Sequence, residues 1–444
     1  MSKFRLFLPG IGLVFSIVCI TIICGMVSAG IARAQQPAIP PGTVITHSNW
    51  QQYKQFMPDG MQQMFAGTVF WKFPPDFQIV MGPPHHYPPP TTYVANTEKY
   101  ASQVKIVNLS DGGHSLNGYV AGLPFPNPGP PLKGWKVLVN EWYRYVPWII
   151  CSSPPGYQLR LKDRFGGIYT ERTALVYRRM SHISDYDKPI TDPQAQGIDY
   201  SEWVQLTAPE QNKYVTNLTL YYDDLTKPED VFLFIPALRR SLRLSASARC
   251  APFVGTDWTQ DDVRSGFNGG IVRWVVKYLH DQQIVTLTSG DPAVYGKWEN
   301  YYPTLLFVKP TVGQWELRPV YVIDVRRVPS QRAGYCYGKQ IMYIDQKNYN
   351  LLWKEMYDAS MKLWKNLVAI HIASPVPREG IQAETGNFIQ AVYDQQNDHM
   401  SIAITADEHG QYDVNNSACK SYDGINYTNV ELYSSVAGLS EVLR

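Results

Sequence analysis

The residues able to do chemistry are few, and their spacing suits little of it. Gly113-His114-Ser115-Leu116-Asn117 falls one residue short of the nucleophile elbow G-x-S-x-G, because Asn117 stands where the second glycine of a tight strand-to-helix turn is needed. A polar loop is the simpler reading. His85 and His86 adjoin within a run of prolines, without the i, i+4 face on which metalloenzymes mount their ligands, so no metal site is expected. Asp257, Asp261 and Asp262 form one acidic cluster and Asp185, Asp187 and Asp192 another. Neither keeps the register of a calcium loop, and helix capping on a solvated surface is the expectation for both. Arg239, Arg240 and Arg243 follow an apolar strand that ends at Pro236. They would suit a phospholipid headgroup or a partner's carboxylates at the rim of a cavity, or else exterior ion pairs. No phosphate-cradling glycine loop or dinucleotide fingerprint occurs, and no cofactor is expected.

Of six cysteines, two lie in an apolar N-terminal stretch, leaving Cys151, Cys250, Cys336 and Cys419. In an exported chain these four can close two disulfides with three connectivities, among which spacing does not choose; buried free thiols are the alternative. Export itself is read from the N-terminus. Lys3 and Arg5 precede apolar residues from Leu6 to Met26, and Ala32-Arg33-Ala34 offers a small-residue cleavage site. A signal peptide over residues 1–34, cut after Ala34, is therefore expected to deliver a periplasmic chain, with outer-membrane association left open. An uncleaved anchor is the competing reading, since the stretch reaches the roughly 20 residues that span a bilayer.

The chain has 444 residues, 45% hydrophobic, 13% aromatic and 18% charged, against roughly 25% charged for an average soluble domain. That excludes disorder. Without residues 1–34, which carry Lys3, Arg5 and Arg33 and no acid, 37 basic residues face 38 acidic ones, a net charge of −1. A binder of phosphate backbones needs a basic excess or stripe, and neither is present.

The elements that would position these residues change character along the chain. Residues 35–154 read as helical and Pro-rich. Trp50, Tyr53 and Met57, then Met61, Met64 and Phe65, suggest two short helices broken at Pro58. Val94, Ala101 and Val104 form a second apolar stripe, and Leu132, Trp135, Val139, Trp142 and Val146 a third. From about residue 155 the period becomes two, and successive strands with turn residues between them predict an antiparallel meander. Residues 231–240 read as one strand, and residues 270–279 and 282–287 as two. Over residues 315–328, Trp315, Leu317, Tyr321, Ile323 and Val325 share a dry face, while Glu316, Arg318, Asp324 and Arg326 mostly share a wet one. Val272, Trp274, Val276 and Tyr278 repeat the pattern. Trp353, Tyr357, Met361 and Trp364 fit either a lid helix or the next strand. A half-barrel with its lid is thus expected over residues 155–370, with residues 371–444 as an extension packing on it.

Five local motifs carry a resemblance: Ile45-Thr46-His47-Ser48-Asn49-Trp50, Gly118-Tyr119-Val120-Ala121-Gly122-Leu123-Pro124, the run from Val231 to Arg240, Trp315-Glu316-Leu317-Arg318-Pro319, and Met342-Tyr343-Ile344-Asp345 leading to Trp353-Lys354-Glu355-Met356. Together they resemble the bacterial exported family of domain of unknown function 1329. The resemblance implies a mainly β, LolA/LolB-like fold, an incomplete antiparallel β-barrel with covering helices, of the kind that carries lipoprotein acyl chains or other lipids. It also implies company with resistance-nodulation-division (RND-type) exporters. The expectation is a non-enzymatic, periplasmic carrier of a lipid or other hydrophobic ligand, with Phe232, Phe234, Trp274, Trp315, Leu317, Tyr321 and Ile323 as cavity walls and Arg239 and Arg240 at the rim. The competing class is an envelope scaffold that docks a transporter or outer-membrane partner through its loops.

Overall fold

The computed structural model describes residues 39–245, 249–268, 270–288, 290, 292–376, 378–405, 413–414 and 426–441; the leader expected over residues 1–34 and Cys419 lie outside them. The frame is a 14-stranded antiparallel sheet. Strands β1 (Ile149–Lys162), β2 (Ile168–Arg179), β3 (Ile198–Ala208), β4 (Thr216–Tyr222), β5 (Asp230–Ile235) and β6 (Arg240–Leu244) form one meander. A second consists of β7 (Trp274–Thr286), β8 (Glu316–Arg327), β9 (Lys339–Asp345), β10 (Leu351–Tyr357), β11 (Leu363–Pro375), β12 (Gln382–Asp394) and β13 (His399–Ile404). The meanders join where β13 pairs with β1, Met400 standing opposite Lys162, and β14 (Asp413–Val414) also pairs with β1. Edges remain at β6 and β7, so the sheet is open, as expected of an incomplete barrel.

Side-chain alternation sorts the two faces of the second meander cleanly. Ile389, Ala391, Tyr393, Met400, Ile402 and Ile404 join one apolar cluster, with Val320, Val322, Ile341 and Tyr343. Val392, Ile323, Val325, Met342 and Ile344 join another on the opposite side. Residues 39–81 and 295–315 complete the first cluster. Helix α3 (Lys133–Tyr143) and the crossover between β6 and β7 complete the second. Each face is covered, which overturns the expected wet face of β8. Glu316 and Arg318 are 1% and 2% exposed. Arg318 lies 2.6 Å from Asp345, 3.0 Å from Glu316 and 3.1 Å from Glu384, an ion cluster whose acids come from three separate stretches of chain. The outer edge β7 does keep the expected alternation, with Val275 and Lys277 exposed between Trp274, Val276 and Tyr278.

Several expected boundaries move for local reasons. The strand expected over residues 231–240 breaks at Pro236 and turns through Arg239 (φ 49°) into a hairpin, because proline lacks the N–H a strand needs. The two strands expected over residues 270–287 are one, β7, with a register shift between Tyr278 and His280. The Trp353 stripe is extended, not helical, and falls on β10 and β11. Residues 371–404, read as an extension packing on the domain, instead finish β11 and supply β12 and β13 in the middle of the sheet.

In the N-terminal region, helix α1 (Asp59–Ala66) buries Met61, Met64 and Phe65 at the expected spacing, each side chain contributing about 2 kcal/mol of apolar burial. Helix α2 (Thr91–Tyr100) turns its expected stripe outward, Val94 being 39% exposed, and buries Tyr93 instead, whose hydroxyl donates to the Tyr143 carbonyl at 2.9 Å. The start of α1 rests on β10: Gly60 N–H donates to Glu355 Oε1 at 2.6 Å. A side chain at Gly60 would collide with Asn366, so only glycine allows that approach.

Burial raises the Glu355 carboxyl to about 7 against the Gly60 hydrogen bond, and burial likewise raises Glu384 to about 7 against Arg318. A carboxyl whose folded pKa exceeds its unfolded value stabilises fully below the unfolded pKa, and that stability is lost as pH rises through the folded one. Stability should therefore fall from about pH 4.5 to pH 7. Glu355→Gln should flatten that fall by about 3 kcal/mol, measured by denaturant titration at each pH; an unchanged slope contradicts the assignment.

Candidate functional site

The crossover between β6 and β7 builds a lid over one face of the sheet. Cys250 and Cys336 form a disulfide that ties it to the β8–β9 connection. Cys151 is also disulfide-bonded. Asp261 and Asp262, expected on a solvated surface, are 1% and 0% exposed. Asp261 accepts from Arg249, from Arg327 Nη2 at 2.5 Å and from the Tyr335 hydroxyl at 2.7 Å. Burial would raise its pKa, yet Arg249, Arg327 and Arg273 outweigh burial and hold it far below the carboxylate range. Asp262 accepts from Lys354 Nζ at 2.6 Å and from the Tyr337 hydroxyl at 2.6 Å. These bonds fix the turn that follows, where Arg264 (φ 54°), Ser265 (φ 64°) and Gly266 (φ 100°) are all left-handed. Such backbone costs non-glycine residues roughly 1–3 kcal/mol each and persists only where surroundings over-determine it.

Beneath this lid lies an open pocket with a cavity volume of about 110 Å³. Alternation explains its floor. Leu175, Tyr177 and Arg179 on β2 and Tyr200, Glu202 and Val204 on β3 point into it, joined by Ile150, Tyr157 and Leu159 of β1. Phe253, Trp258, Val263 and Arg264 of the crossover close it from above. Ala174, Val176 and Trp203, the intervening residues, pack on the other side of the sheet beneath Tyr427, Tyr433 and Leu439.

One end of the pocket is polar. The Glu202 carboxylate accepts from the Tyr177 hydroxyl, from the Tyr200 hydroxyl at 3.2 Å and from Asn268 Nδ2 at 3.1 Å, and burial raises its pKa against those bonds. Arg144 donates to Glu141 Oε1 at 2.7 Å and to Asn350 Oδ1 at 2.9 Å; burial lowers it to about 10. Arg179 pairs with Asp199 at 2.9 Å and Arg178 with Asp192 at 2.7 Å. Arg264 donates to the Trp142 carbonyl at 2.9 Å and lies 4.4 Å over the Trp142 ring.

None of the seven expected wall residues lines this pocket. Phe232 and Phe234 belong to the cluster on the opposite face. Trp315 and Leu317 pack in the core under the N-terminal region. Trp274, Tyr321 and Ile323 fill the core beside α3. Arg239 and Arg240 are exposed on a hairpin turn rather than at the rim. Residues 113–117 offer no strand-to-helix turn, since His114–Asn117 is a strand of a small hairpin. His85 lies 3.1 Å from Glu316, and Asp185 is buried, accepting from the Tyr145 hydroxyl at 2.9 Å and the Trp148 N–H at 3.0 Å. His182, Asp199 and Asp223 bring one ligand atom each within 4.8 Å of one another. Arg179 already neutralises Asp199, so this group reads as an ion-pair network.

The sequence matches the profile of the family described as protein of unknown function (DUF1329) over residues 44–432. The chain belongs to the DUF1329 family. A domain described as an outer membrane lipoprotein-sorting protein from Vibrio parahaemolyticus is similar in structure, at 16% identity over 62% of this chain and 91% of its own, with a TM-score of 0.43. A DUF1329 family protein from Desulfovibrio piger follows at 13% identity, 62% and 90% coverage and a TM-score of 0.42. A LolA superfamily protein from Nitrosomonas europaea stands at 11% identity, 61% and 87% coverage and 0.32. No curated protein matches the chain. Among the described residues, no helix is long and apolar enough to cross a membrane.

The pocket and the surrounding cores make opposite demands on substitution. Ile323→Asp places an unpaired carboxylate in a filled core and should cost more than about 4 kcal/mol, seen as loss of the cooperative melt. Leu175→Trp should keep the melt and abolish binding of a hydrophobic dye. A folded Ile323→Asp variant, or undiminished dye binding by Leu175→Trp, contradicts this division.

Proposed function

We propose that the protein is a non-enzymatic carrier that binds a lipid or other hydrophobic molecule in the pocket between β1–β3 and the crossover. The observation that carries the reading is an apolar hollow left open beneath the crossover. Ile150, Leu175 and Val204 form its floor, with Tyr157 and Phe253 packed against them. Burying an acyl chain there is favourable by about 0.8 kcal/mol per methylene. The rigid lid keeps the hollow from collapsing when empty. The leader expected over residues 1–34 supports a periplasmic setting, and service to an RND-type exporter or an outer-membrane partner is part of the proposal.

One observation favours the alternative of a docking scaffold. Phe165, at the β1–β2 turn, is 89% exposed beside exposed Ile168 and Tyr169. A carrier must also meet its acceptor, so the two readings share this loop and differ in the pocket. Native mass spectrometry with lipid extraction, on mature protein purified from its own envelope without detergent, separates them. The carrier reading expects a bound lipid approaching one per chain that Leu175→Trp loses. An empty wild-type protein that also refuses hydrophobic dye favours the scaffold.

A further inference from the structure

Four guanidinium groups line the pocket, and three have carboxylate partners: Arg144 with Glu141, Arg178 with Asp192 and Arg179 with Asp199. The fourth, Arg264, is 5% exposed and has no carboxylate within ion-pair distance among the described residues. Its Nη2 is occupied by the Trp142 carbonyl, while its buried Nη1 has no hydrogen-bond partner. Glu202, the carboxylate that shares the pocket, has both oxygens engaged by Tyr177, Tyr200 and Asn268. A buried cation left with an unused donor is costly unless something completes it. The left-handed backbone from Arg264 to Gly266 is itself held in place, by Lys354 Nζ on the Gly266 carbonyl at 2.9 Å and by Asn268 N–H on the Asp261 carbonyl at 2.9 Å.

We propose that the occupant is an anionic amphiphile, an apolar chain ending in an oxyanion, and that Arg264 receives its head group. This rests on the carrier reading and adds the charge of the cargo to it. An oxyanion at Nη1 completes the guanidinium through a charge-assisted hydrogen bond, while the chain lies along Leu175, Val204 and Phe253.

The test uses the mature protein and the neutral dye N-phenyl-1-naphthylamine, displaced by palmitate, hexadecyl phosphate or hexadecanol, which share a chain and differ in head. Palmitate or hexadecyl phosphate should displace the dye at concentrations about tenfold or more below those of hexadecanol, the span expected of a hydrogen bond to a charged group; the more potent anion identifies carboxylate or phosphate as the natural head. Arg264→Asn and Arg264→Gly suit left-handed backbone and should lose the preference for anions, read in each variant as the ratio of the displacing concentrations of the anions and hexadecanol against that variant's own dye affinity. Equal displacement by all three amphiphiles in the wild type, or a preference that survives both variants, overturns the assignment of Arg264 and leaves the carrier reading standing. Failure of the wild type to bind the neutral dye overturns both.

Discussion

A carboxylate removed from water costs several kcal/mol unless cations and hydrogen-bond donors meet it, and the crossover between the two meanders carries two such groups side by side against the sheet. Asp261 faces Arg249 and Arg327, and Asp262 faces Lys354. Because the partners come from β8 and β10 as well as from the crossover itself, satisfying the two acids requires the crossover to lie in one place. The Cys250–Cys336 disulfide restricts the same segment. Loss of Asp261 would strand Arg327, while Arg249 keeps Glu229, and loss of Asp262 would strand Lys354, so the arrangement holds as a unit.

From this constraint follow the hollow and its polar end. Held at Asp261 and Asp262, the chain turns left-handed through Arg264 and Ser265, bringing Trp258, Val263 and Arg264 over β2 and β3 without filling the space beneath them. The opposite face shows what the sheet does without such a brace. There Trp203 meets Tyr433 edge-on at 5.0 Å between ring centres.

The antiparallel meander was legible in the sequence because period-two alternation is local: Trp274, Val276 and Tyr278 announce their face without reference to any other strand. The burial of Arg318 was not, since charged residues read as surface unless their partners are known, and Asp345 and Glu384 lie on other strands. The same reason hid Asp261 and Asp262. The pocket was missed for a different one. Large aromatics suggested cavity walls, but Trp274 and Trp315 fill cores; the pocket's floor mixes Ile150, Leu175 and Val204 with Tyr157, Tyr177 and Tyr200, drawn from separate strands. Arg264 sits in a turn with no periodicity, and its only local sign is the charged run from Asp261 to Arg264 that ends at Gly266.

The central claim is that a ligand lies between β1–β3 and the braced crossover. Photo-crosslinking with a diazirine-bearing fatty acid, followed by peptide mapping of the mature protein, tests it most directly. The account predicts adducts confined to residues 150–159, 175–179, 200–204 and 253–264, competed by unlabelled palmitate. Adducts concentrated on the opposite face around Phe232 and Phe234, or spread over the exposed β1–β2 turn and indifferent to competitor, would contradict it.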